Sequence, residues 1–286
     1  MSILSRSAAA LAVAASLCVA ASHAGAPPSS SRADAAPLPA ATPERPIPEP
    51  VLPEMVELHP EEVLLDALAP LAPDLDRNVL GMALGARECA VAAGDAEEVS
   101  RLAVIDFSLP STEKRLWVFD IEARALLFAE HVAHGQGTGG NMATRFSNRE
   151  GSHQSSLGLF AMAETYHGGN GYSLRMDGLE PGINDAARRR AIVMHGAPYV
   201  NPEAAPAMGR LGRSFGCPAV RSAVARQVID SLKDGQMLFA YYPEDDWLAA
   251  SPFLNCRHRT SGLAARAKAA VLQARAETAA RTTAQR

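Results

Sequence analysis

A cysteine on a glycine-rich turn is the residue of this chain best suited to chemistry. Cys217 lies in residues 209–219 (GRLGRSFGCPA), with small residues around it and with Arg210 and Arg213 just before it. A cysteine reacts as its thiolate, and nearby guanidinium groups favour that form. The turn therefore predicts a reactive thiol, and the alternative is a buried structural cysteine beside an unrelated histidine.

A nucleophilic cysteine needs a base within hydrogen-bond reach, which usually comes from elsewhere in the sequence. Residues 191–194 (AIVM) predict a buried strand that leads into His195. We expect His195 to be this base. Backbone N–H groups near Gly216 and Cys217 are the expected oxyanion site, because glycine allows close approach of the substrate.

These two motifs together resemble the active-site block of a known family. HGA at 195–197, followed by GRLGRSFGCPA at 209–219, is similar to the block of the murein L,D-transpeptidases, the YkuD-like family. That family carries a His-Gly, a spacer and then Ser-His-Gly-Cys. The likeness extends over about residues 103–242. It includes SNREGSHQSSLG at 147–158 and SLRMDGLEPGINDAARRRAIVMHG at 173–196.

The chain departs from the usual family motif at one position. Phe215 stands between Ser214 and Gly216, where the family usually has a histidine. The sequence thus resembles the variant branch that keeps Ser-x-Gly-Cys-Pro with an aromatic residue at x. The change removes one polar group beside the thiol, so the usual donor and acceptor specificity of the family does not carry over directly.

The resemblance implies an exported, cysteine-dependent acyltransferase that acts on peptidoglycan stem peptides without a cofactor. Cys217 would form a thioester with a stem peptide, and an amine of a second stem would resolve it, with His195 moving the proton. Two alternatives stay open: an L,D-carboxypeptidase or endopeptidase that hydrolyses stem peptides at the same site, and a non-enzymatic cell-wall-binding protein. A 3-3 cross-link, a 1-3 cross-link and a shortened stem are all open as products.

Further polar residues are expected around the thiol. Ser214 and Arg213 are expected to hold the Cys turn or to bind a substrate carboxylate. The other candidate substrate-binding residues are Ser147, Asn148, Tyr172 and Arg175.

Short β-branched or aromatic runs separated by turn residues predict a β-rich α+β domain rather than alternating βαβ units. The predicted strands lie in residues 102–108, 115–122, 125–135, 157–166, 172–176, 191–196 and 237–243. One helix is predicted over residues 222–232, with Ser222 as its N-cap. The resemblance implies the L,D-transpeptidase fold, a mixed β-sandwich-like structure, preceded by a short helical lead-in.

The chain divides into five predicted segments. They are a signal peptide (1–24), a Pro/Ala-rich disordered linker (25–57), a helical lead-in (58–98), an L,D-transpeptidase-like catalytic domain (99–245) and a basic Ala/Arg-rich tail (246–286). The first segment has a weakly positive start, a short apolar run and small residues at the cleavage positions. We therefore expect an exported protein of the periplasm or cell envelope.

Three cysteines follow the predicted signal peptide: Cys89, Cys217 and Cys256. An odd count in an oxidising compartment suggests one bridge and one free thiol. Cys217 fits the free thiol, whereas the sequence does not show that the other two lie close together.

Composition and motifs argue against other classes of function. A net charge of −4 provides no basic field for nucleic acid. Gly135, Gly137 and Gly140 match G-x-G-x-x-G, but no helical period follows them, so we reject a nucleotide cofactor. The histidines lack metal-ligand spacing, so no metal site is expected. The basic tail suggests a weak contact with the anionic cell wall.

Overall fold

The computed structural model describes residues 59–97, 99–256 and 262–284. The predicted signal peptide (1–24) and linker (25–57) lie outside these ranges. Within them, the short apolar runs form one mixed nine-stranded sheet. The predicted β-rich α+β fold is therefore confirmed. None of the described helices is long and apolar enough to cross a membrane.

The sheet mixes antiparallel and parallel strands. In chain order the strands are β1 Arg101–Asp106, β2 Leu116–Asp120, β3 Ala125–Glu130, β4 Val132–Ala133, β5 Gly158–Gly168, β6 Gly171–Gly178, β7 Val193–Ala197, β8 Ala219–Arg221 and β9 Gln236–Tyr241. Their spatial order is β3-β2-β1-β9-β5-β6-β7-β8-β4. Two neighbouring pairs, β1 with β9 and β7 with β8, are parallel. A parallel pair cannot be closed by a tight hairpin, so a long segment that includes the Cys turn connects β7 to β8.

Two features of the sheet differ from the sequence analysis. The predicted run at 125–135 breaks into β3 and β4, because β3 pairs with β2 whereas β4 pairs with β8. The sequence analysis does not predict β8, since three residues after Pro218 are too few to show a strand periodicity.

Two helices precede the sheet and form the predicted lead-in. Helix α1 spans Pro60–Leu68, and α2 spans Arg77–Ala93. Asp76 caps α2 by accepting hydrogen bonds from two backbone N–H groups of its first turn. Gly94 ends this helix in the left-handed conformation, with φ of 79°.

The predicted helix at 222–232 is confirmed, but its cap is not. The later helices are α3 Ala205–Met208, α4 Ser222–Leu232, α5 Asp245–Ala250 and α6 Leu263–Ala284. Ser222 is the first helical residue of α4, and Arg221 occupies the N-cap position without a side-chain cap bond. The prediction of Ser222 as N-cap is thus wrong by one residue, because β8 runs directly into the helix.

The folded domain continues beyond the predicted boundary at residue 245. Trp247 of α5 is buried, and its Nε1–H donates to Glu180 Oε2 at 3.0 Å. Helix α6 packs against α2 so closely that a Cβ at Gly85 would lie 2.5 Å from the backbone N of Ala264. Residues that were predicted as a basic Ala/Arg-rich tail therefore cover part of the core, because small side chains on both helices permit this approach.

Candidate active site

The parallel pairing of β7 with β8 places the Cys turn beside His195. His195 is opposite Ala219, and its backbone N–H donates to Pro218 O at 3.4 Å. Cys217 directly precedes this proline. Both side chains are buried, with 4% of His195 and 8% of Cys217 exposed. The structure thus places the predicted base on β7 and the predicted nucleophile on the turn that leads into the neighbouring strand β8, and both side chains are buried.

Ser214 closes the Cys turn, in agreement with one of its two expected roles. Its Oγ donates to Cys217 O at 2.6 Å and accepts from Gly216 N–H at 3.1 Å. Gly216 has φ of 126°, and a Cβ there would lie 2.8 Å from Gln154 O. Ser155 Oγ donates to Gly216 O at 3.0 Å from the other side. A side chain at Gly216 would therefore displace the turn.

This hydrogen bonding narrows the expected oxyanion site. The N–H of Gly216 is already used by Ser214 within the turn. Among the described residues, the N–H of Cys217 donates no hydrogen bond to another residue. The Cys217 N–H, unlike that of Gly216, is therefore available to a substrate oxygen.

The thiol of Cys217 is held by the segment that leads into β7. Val193 N–H donates to Sγ at 3.4 Å, and the S–H donates to Ala191 O at 3.7 Å. Burial raises the pKa of the thiol above its ordinary value, and the Val193 N–H and the positive charge of Arg190 partly offset this effect. Among the described residues, the cation that favours the thiolate is thus Arg190, and neither arginine of the 209–219 turn.

His195 has the tautomer that a general base needs. Its Nδ1 lies 3.0 Å from Gly196 O, which can only accept, so Nδ1 carries the proton and Nε2 is the free acceptor. Burial lowers the pKa of His195, although the Gly196 bond works in the opposite direction. Among the described residues no hydrogen bond joins His195 to Cys217. Catalytic hydrogen bonds are often long in ligand-free enzymes and tighten when substrate binds.

Arg213 and Arg210 serve the backbone of the loops. Arg213 Nη1 donates to Gln136 O at 3.2 Å and to Gly139 O at 2.8 Å, which holds the glycine-rich loop against the turn. Arg210 Nη1 donates to Leu211 O at 2.8 Å. The expectation that these two guanidinium groups favour the thiolate is therefore wrong, since carbonyl groups orient them elsewhere.

Ser147 and Asn148 brace the chain around the site. Ser147 O accepts from Arg190 Nη1 at 2.6 Å. Asn148 Nδ2 donates to Asp185 Oδ1 at 2.6 Å, and its Oδ1 accepts from Ala186 N–H at 3.0 Å. Both residues connect the 147–156 loop to the segment before β7. Their predicted contact with substrate stays a prediction.

Tyr172 and Arg175 have partners away from the thiol. The Tyr172 hydroxyl donates to Asp230 Oδ1 of α4 at 2.6 Å. Arg175 forms an ion pair with Glu164 at 3.1 Å and lies 4.3 Å from the Tyr166 ring centroid. No hydrogen bond of the described residues connects either side chain to Cys217 or His195, so their substrate-binding role also stays a prediction.

The structure adds an aromatic residue that the sequence analysis missed. The ring of Tyr199 meets the His195 ring edge-on at 6.4 Å and packs against Gly212. Burial is the main cause that raises the pKa of Tyr199 to about 12, and a charge on Cys217 raises it further. The phenol thus stays protonated at neutral pH. An aromatic residue four positions after the predicted base was the available signal.

Phe215 lies on the surface at the rim of the turn. Its side chain is 67% exposed, and its ring stacks on His153 at a centroid distance of 4.6 Å. Gln136 Nε2 lies 3.0 Å from His153 Nδ1. The aromatic residue at the variant position is therefore part of the outer surface and does not contact the thiol through a hydrogen bond.

Comparison with known proteins identifies the family. The sequence matches the family model of the L,D-transpeptidase catalytic domain over residues 71–241, a range that includes α2 as well as the sheet. No curated protein matches the sequence.

Several solved structures are similar to this chain at low identity. An L,D-transpeptidase from Mycobacterium smegmatis has 13% identity and a TM-score of 0.31, with 50% of this chain and 59% of that chain covered. An L,D-transpeptidase from Stackebrandtia nassauensis has 12% identity and a TM-score of 0.31, with 63% of this chain and 91% of that chain covered. One from Xylanimonas cellulosilytica has 14% identity and a TM-score of 0.28, with 63% of this chain and 93% of that chain covered. The chain thus matches little more than half the length of the M. smegmatis protein. Because the family model covers more than half of the present sequence, the chain belongs to the L,D-transpeptidase catalytic domain family.

Proposed function

We propose that this protein is an exported peptidoglycan L,D-transpeptidase with Cys217 as its nucleophile. One observation carries the proposal: the buried Cys217 thiol lies on a turn whose next strand pairs with the strand of His195, and His195 has a free Nε2 acceptor. A thiol and a base on rigid neighbouring strands are the parts that covalent acyl transfer requires. Family membership supports the peptidoglycan stem peptide as the substrate class.

The first half of the reaction forms a thioester. The Sγ proton of Cys217 passes to His195 Nε2, and the thiolate attacks a carbonyl carbon of the stem peptide. The Cys217 N–H stabilises the oxyanion that develops on the carbonyl oxygen. His195 then gives its proton to the leaving amine as the C–N bond breaks.

The second half regenerates the thiol. An amine of a second stem attacks the thioester carbonyl and loses a proton to His195 Nε2. The C–S bond then breaks, and the sulfur recovers the proton from the imidazolium. Because the same steps with water in place of the amine give hydrolysis, the acceptor decides between a cross-link and a shortened stem.

Two observations support export to an oxidising compartment. Residues 1–24 have the pattern of a signal peptide. A disulfide joins Cys89 to Cys256 and leaves Cys217 as the free cysteine of the described residues. Structural disulfides persist mainly outside the cytoplasm, so this arrangement agrees with a periplasmic or cell-envelope enzyme.

A carbapenem tests the nucleophile directly, since its strained carbonyl acylates a reactive thiol. The purified protein is expected to gain the mass of one carbapenem, with the adduct on the peptide that contains Cys217. Cys217→Ser should gain none. An adduct on the variant, or none on the wild type, would show that Cys217 is not the nucleophile.

Muropeptide analysis tests the transfer reaction. Sacculi incubated with the enzyme and an added amine acceptor are expected to yield the acceptor-linked stem. Water-cleaved stems alone, at all acceptor concentrations, would assign hydrolysis in place of transfer.

A further inference from the structure

The guanidinium of Arg190 is half-buried and is surrounded by neutral acceptors. Nη1 donates to Ser147 O and Ser156 Oγ, both at 2.6 Å. Nη2 donates to Gln154 O at 2.6 Å and to Ser152 Oγ at 3.2 Å. Among the ion pairs of the described residues, none includes Arg190. The charge of Arg190 is thus hydrogen-bonded by neutral groups and has no counterion among the described residues.

Arg190 approaches the Cys turn from two sides. Its neighbour Ala191 accepts from the Cys217 S–H at 3.7 Å, so the backbone after the arginine contacts the sulfur itself. Gln154 O, which accepts from Nη2, lies so close to Gly216 that it would be 2.8 Å from a Cβ there. Arg190 and the Cys turn therefore contact the same backbone segments, at Ala191 and Gln154.

The remaining groups around the sulfur are neutral. Val193 supplies an N–H, Ala191 supplies a carbonyl, and the pKa of His195 is lowered by burial. Arg210 and Arg213 are committed to carbonyl groups of the loops. A thiolate formed here would be largely buried. Among the described residues, the side-chain cation that acts on it is Arg190, whose guanidinium contacts the same Gln154 carbonyl that packs against Gly216.

We propose that Arg190 is a positioning residue that serves as the counterion of the Cys217 thiolate and braces the 147–156 loop against the Cys turn. The inference rests on the proposed role of Cys217 as nucleophile. When the Sγ proton moves to His195 Nε2, the negative charge on sulfur completes a pair with the uncompensated guanidinium. The reaction itself therefore supplies the anion that the resting site lacks.

The test compares charge with hydrogen bonding at this position. Arg190→Lys keeps the charge and loses the planar fork, whereas Arg190→Gln keeps two N–H donors and loses the charge. Arg189→Gln, at the exposed neighbouring position, is the matched control. The measurement is the pH dependence of Cys217 alkylation by iodoacetamide in unreduced protein, in which Cys89 and Cys256 stay bridged.

Arg190→Gln is expected to shift the alkylation midpoint upward by about one pH unit, which is a tenfold lower rate at neutral pH. Arg190→Lys should stay within about 0.3 units of the wild type, and Arg189→Gln should match it. Equal midpoints for the lysine and glutamine variants would overturn the proposal, because a purely structural role would not distinguish them by charge. Both variants keep a long polar side chain, so both are expected to fold and can be compared directly.

Alkylation also separates this inference from the proposed function. It reports on the thiol without any peptidoglycan substrate. An Arg190-dependent midpoint in a protein that modifies no sacculi would overturn the proposed function and support the counterion role. Turnover of sacculi with a charge-independent midpoint would do the reverse.

Discussion

At the scale of single residues, burial favours the neutral form of both members of the Cys–His pair. It raises the pKa of Cys217 and lowers that of His195. The resting site is therefore a thiol beside a neutral imidazole. In the proposed mechanism, the charged pair forms only as the proton moves to His195, and the Cys217 N–H and the Arg190 charge then act on the negative charge that develops.

Replacement of His195 tests the base. His195→Ala is expected to lower turnover by about 10²–10⁴-fold, the usual contribution of a general acid–base. Because His195 must be neutral to accept a proton and its pKa lies below the ordinary value of 6.5, wild-type kcat/KM should decline only as the pH falls below that value. The variant should lose this acid limb. An acid limb of unchanged position in His195→Ala would exclude His195 as the titrating base.

Replacement of Phe215 tests the variant position of the motif. Phe215 is mostly exposed, and its ring contacts that of His153 at the rim of the Cys turn. Phe215→His is expected to change the ratio of muropeptide products more than the rate of carbapenem acylation. Phe215→Leu serves as an apolar control without an aromatic ring. If Phe215→His changes the product ratio and the acylation rate equally, the residue acts in the acylation step itself.

At the scale of elements, the connection from β7 to β8 makes the site. The two strands are parallel, so their ends cannot meet in a hairpin, and the segment between them returns along Tyr199 and the 209–219 turn. His195 and Cys217 thus occupy two ends of one crossover. Helix α4 begins directly after β8 and packs against β7, where a Cβ at Gly196 would lie 2.7 Å from that of Ala225.

The contact of α2 with α6 can be tested with two glycines of the same helix. Alanine at either position should gain about 1 kcal/mol of helix propensity. At Gly81 the new Cβ would meet side chains alone, the nearest being that of Ala267 at 3.2 Å, whereas at Gly85 it would meet the Ala264 backbone at 2.5 Å. Gly85→Ala is therefore expected to be less stable than Gly81→Ala by about 1–3 kcal/mol in urea unfolding. Equal stabilities would mean that α6 does not pack there in solution.

At the scale of the whole molecule, one disulfide closes most of the chain. Cys89 of α2 and Cys256 are 167 residues apart in sequence, and they tie the lead-in to the segment before α6. Cross-links of long loops stabilise mainly by restricting the unfolded chain. All nine strands of the sheet lie between these two cysteines in the sequence, so the cross-linked loop contains the whole sheet.

Removal of this disulfide should cost stability without affecting the nucleophile. The double variant Cys89→Ser/Cys256→Ser is expected to lose about 2–5 kcal/mol of unfolding free energy and to keep its carbapenem adduct. The mature, unreduced wild-type protein, without residues 1–24, should titrate one thiol, that of Cys217. Three titrating thiols would show that Cys89 and Cys256 are not bridged. Loss of the adduct in a folded double variant would show that the disulfide affects the reactivity of Cys217.

A buried imidazole predicts how stability depends on pH. Arg115 Nη2 donates to His134 Nδ1 at 2.7 Å, and burial together with the Arg115 charge lowers the pKa of His134 to about 4. The unfolded chain binds a proton near pH 6.5, so this contribution is complete above that pH and is lost as the pH falls towards about 4. Over this pH range, the free energy of unfolding should fall by about 3 kcal/mol at most because of His134. His134→Gln should flatten this decline in unfolding measurements between pH 7 and 4, whereas exposed His167→Gln should not.

The sequence alone determined the features that depend on local pattern. Short β-branched or aromatic runs indicated β1, β2, β5, β7 and β9, and the α4 helix was placed at its observed bounds. A thiol on a Gly-rich turn and an imidazole at the end of a strand were sufficient to propose Cys217 and His195 as candidates, because side-chain chemistry and chain conformation at these positions are local properties; their catalytic roles stay a prediction.

The tertiary structure alone decided what surrounds those residues. It selected Arg190 in place of Arg210 and Arg213 as the cation near the thiol, it formed β8 from three residues, and it packed α6 onto α2. Each outcome depends on segments that are far apart in sequence and meet only when the sheet closes. Burial, charge pairing and close helix contact are properties of those meetings, so no local pattern of residues specifies them.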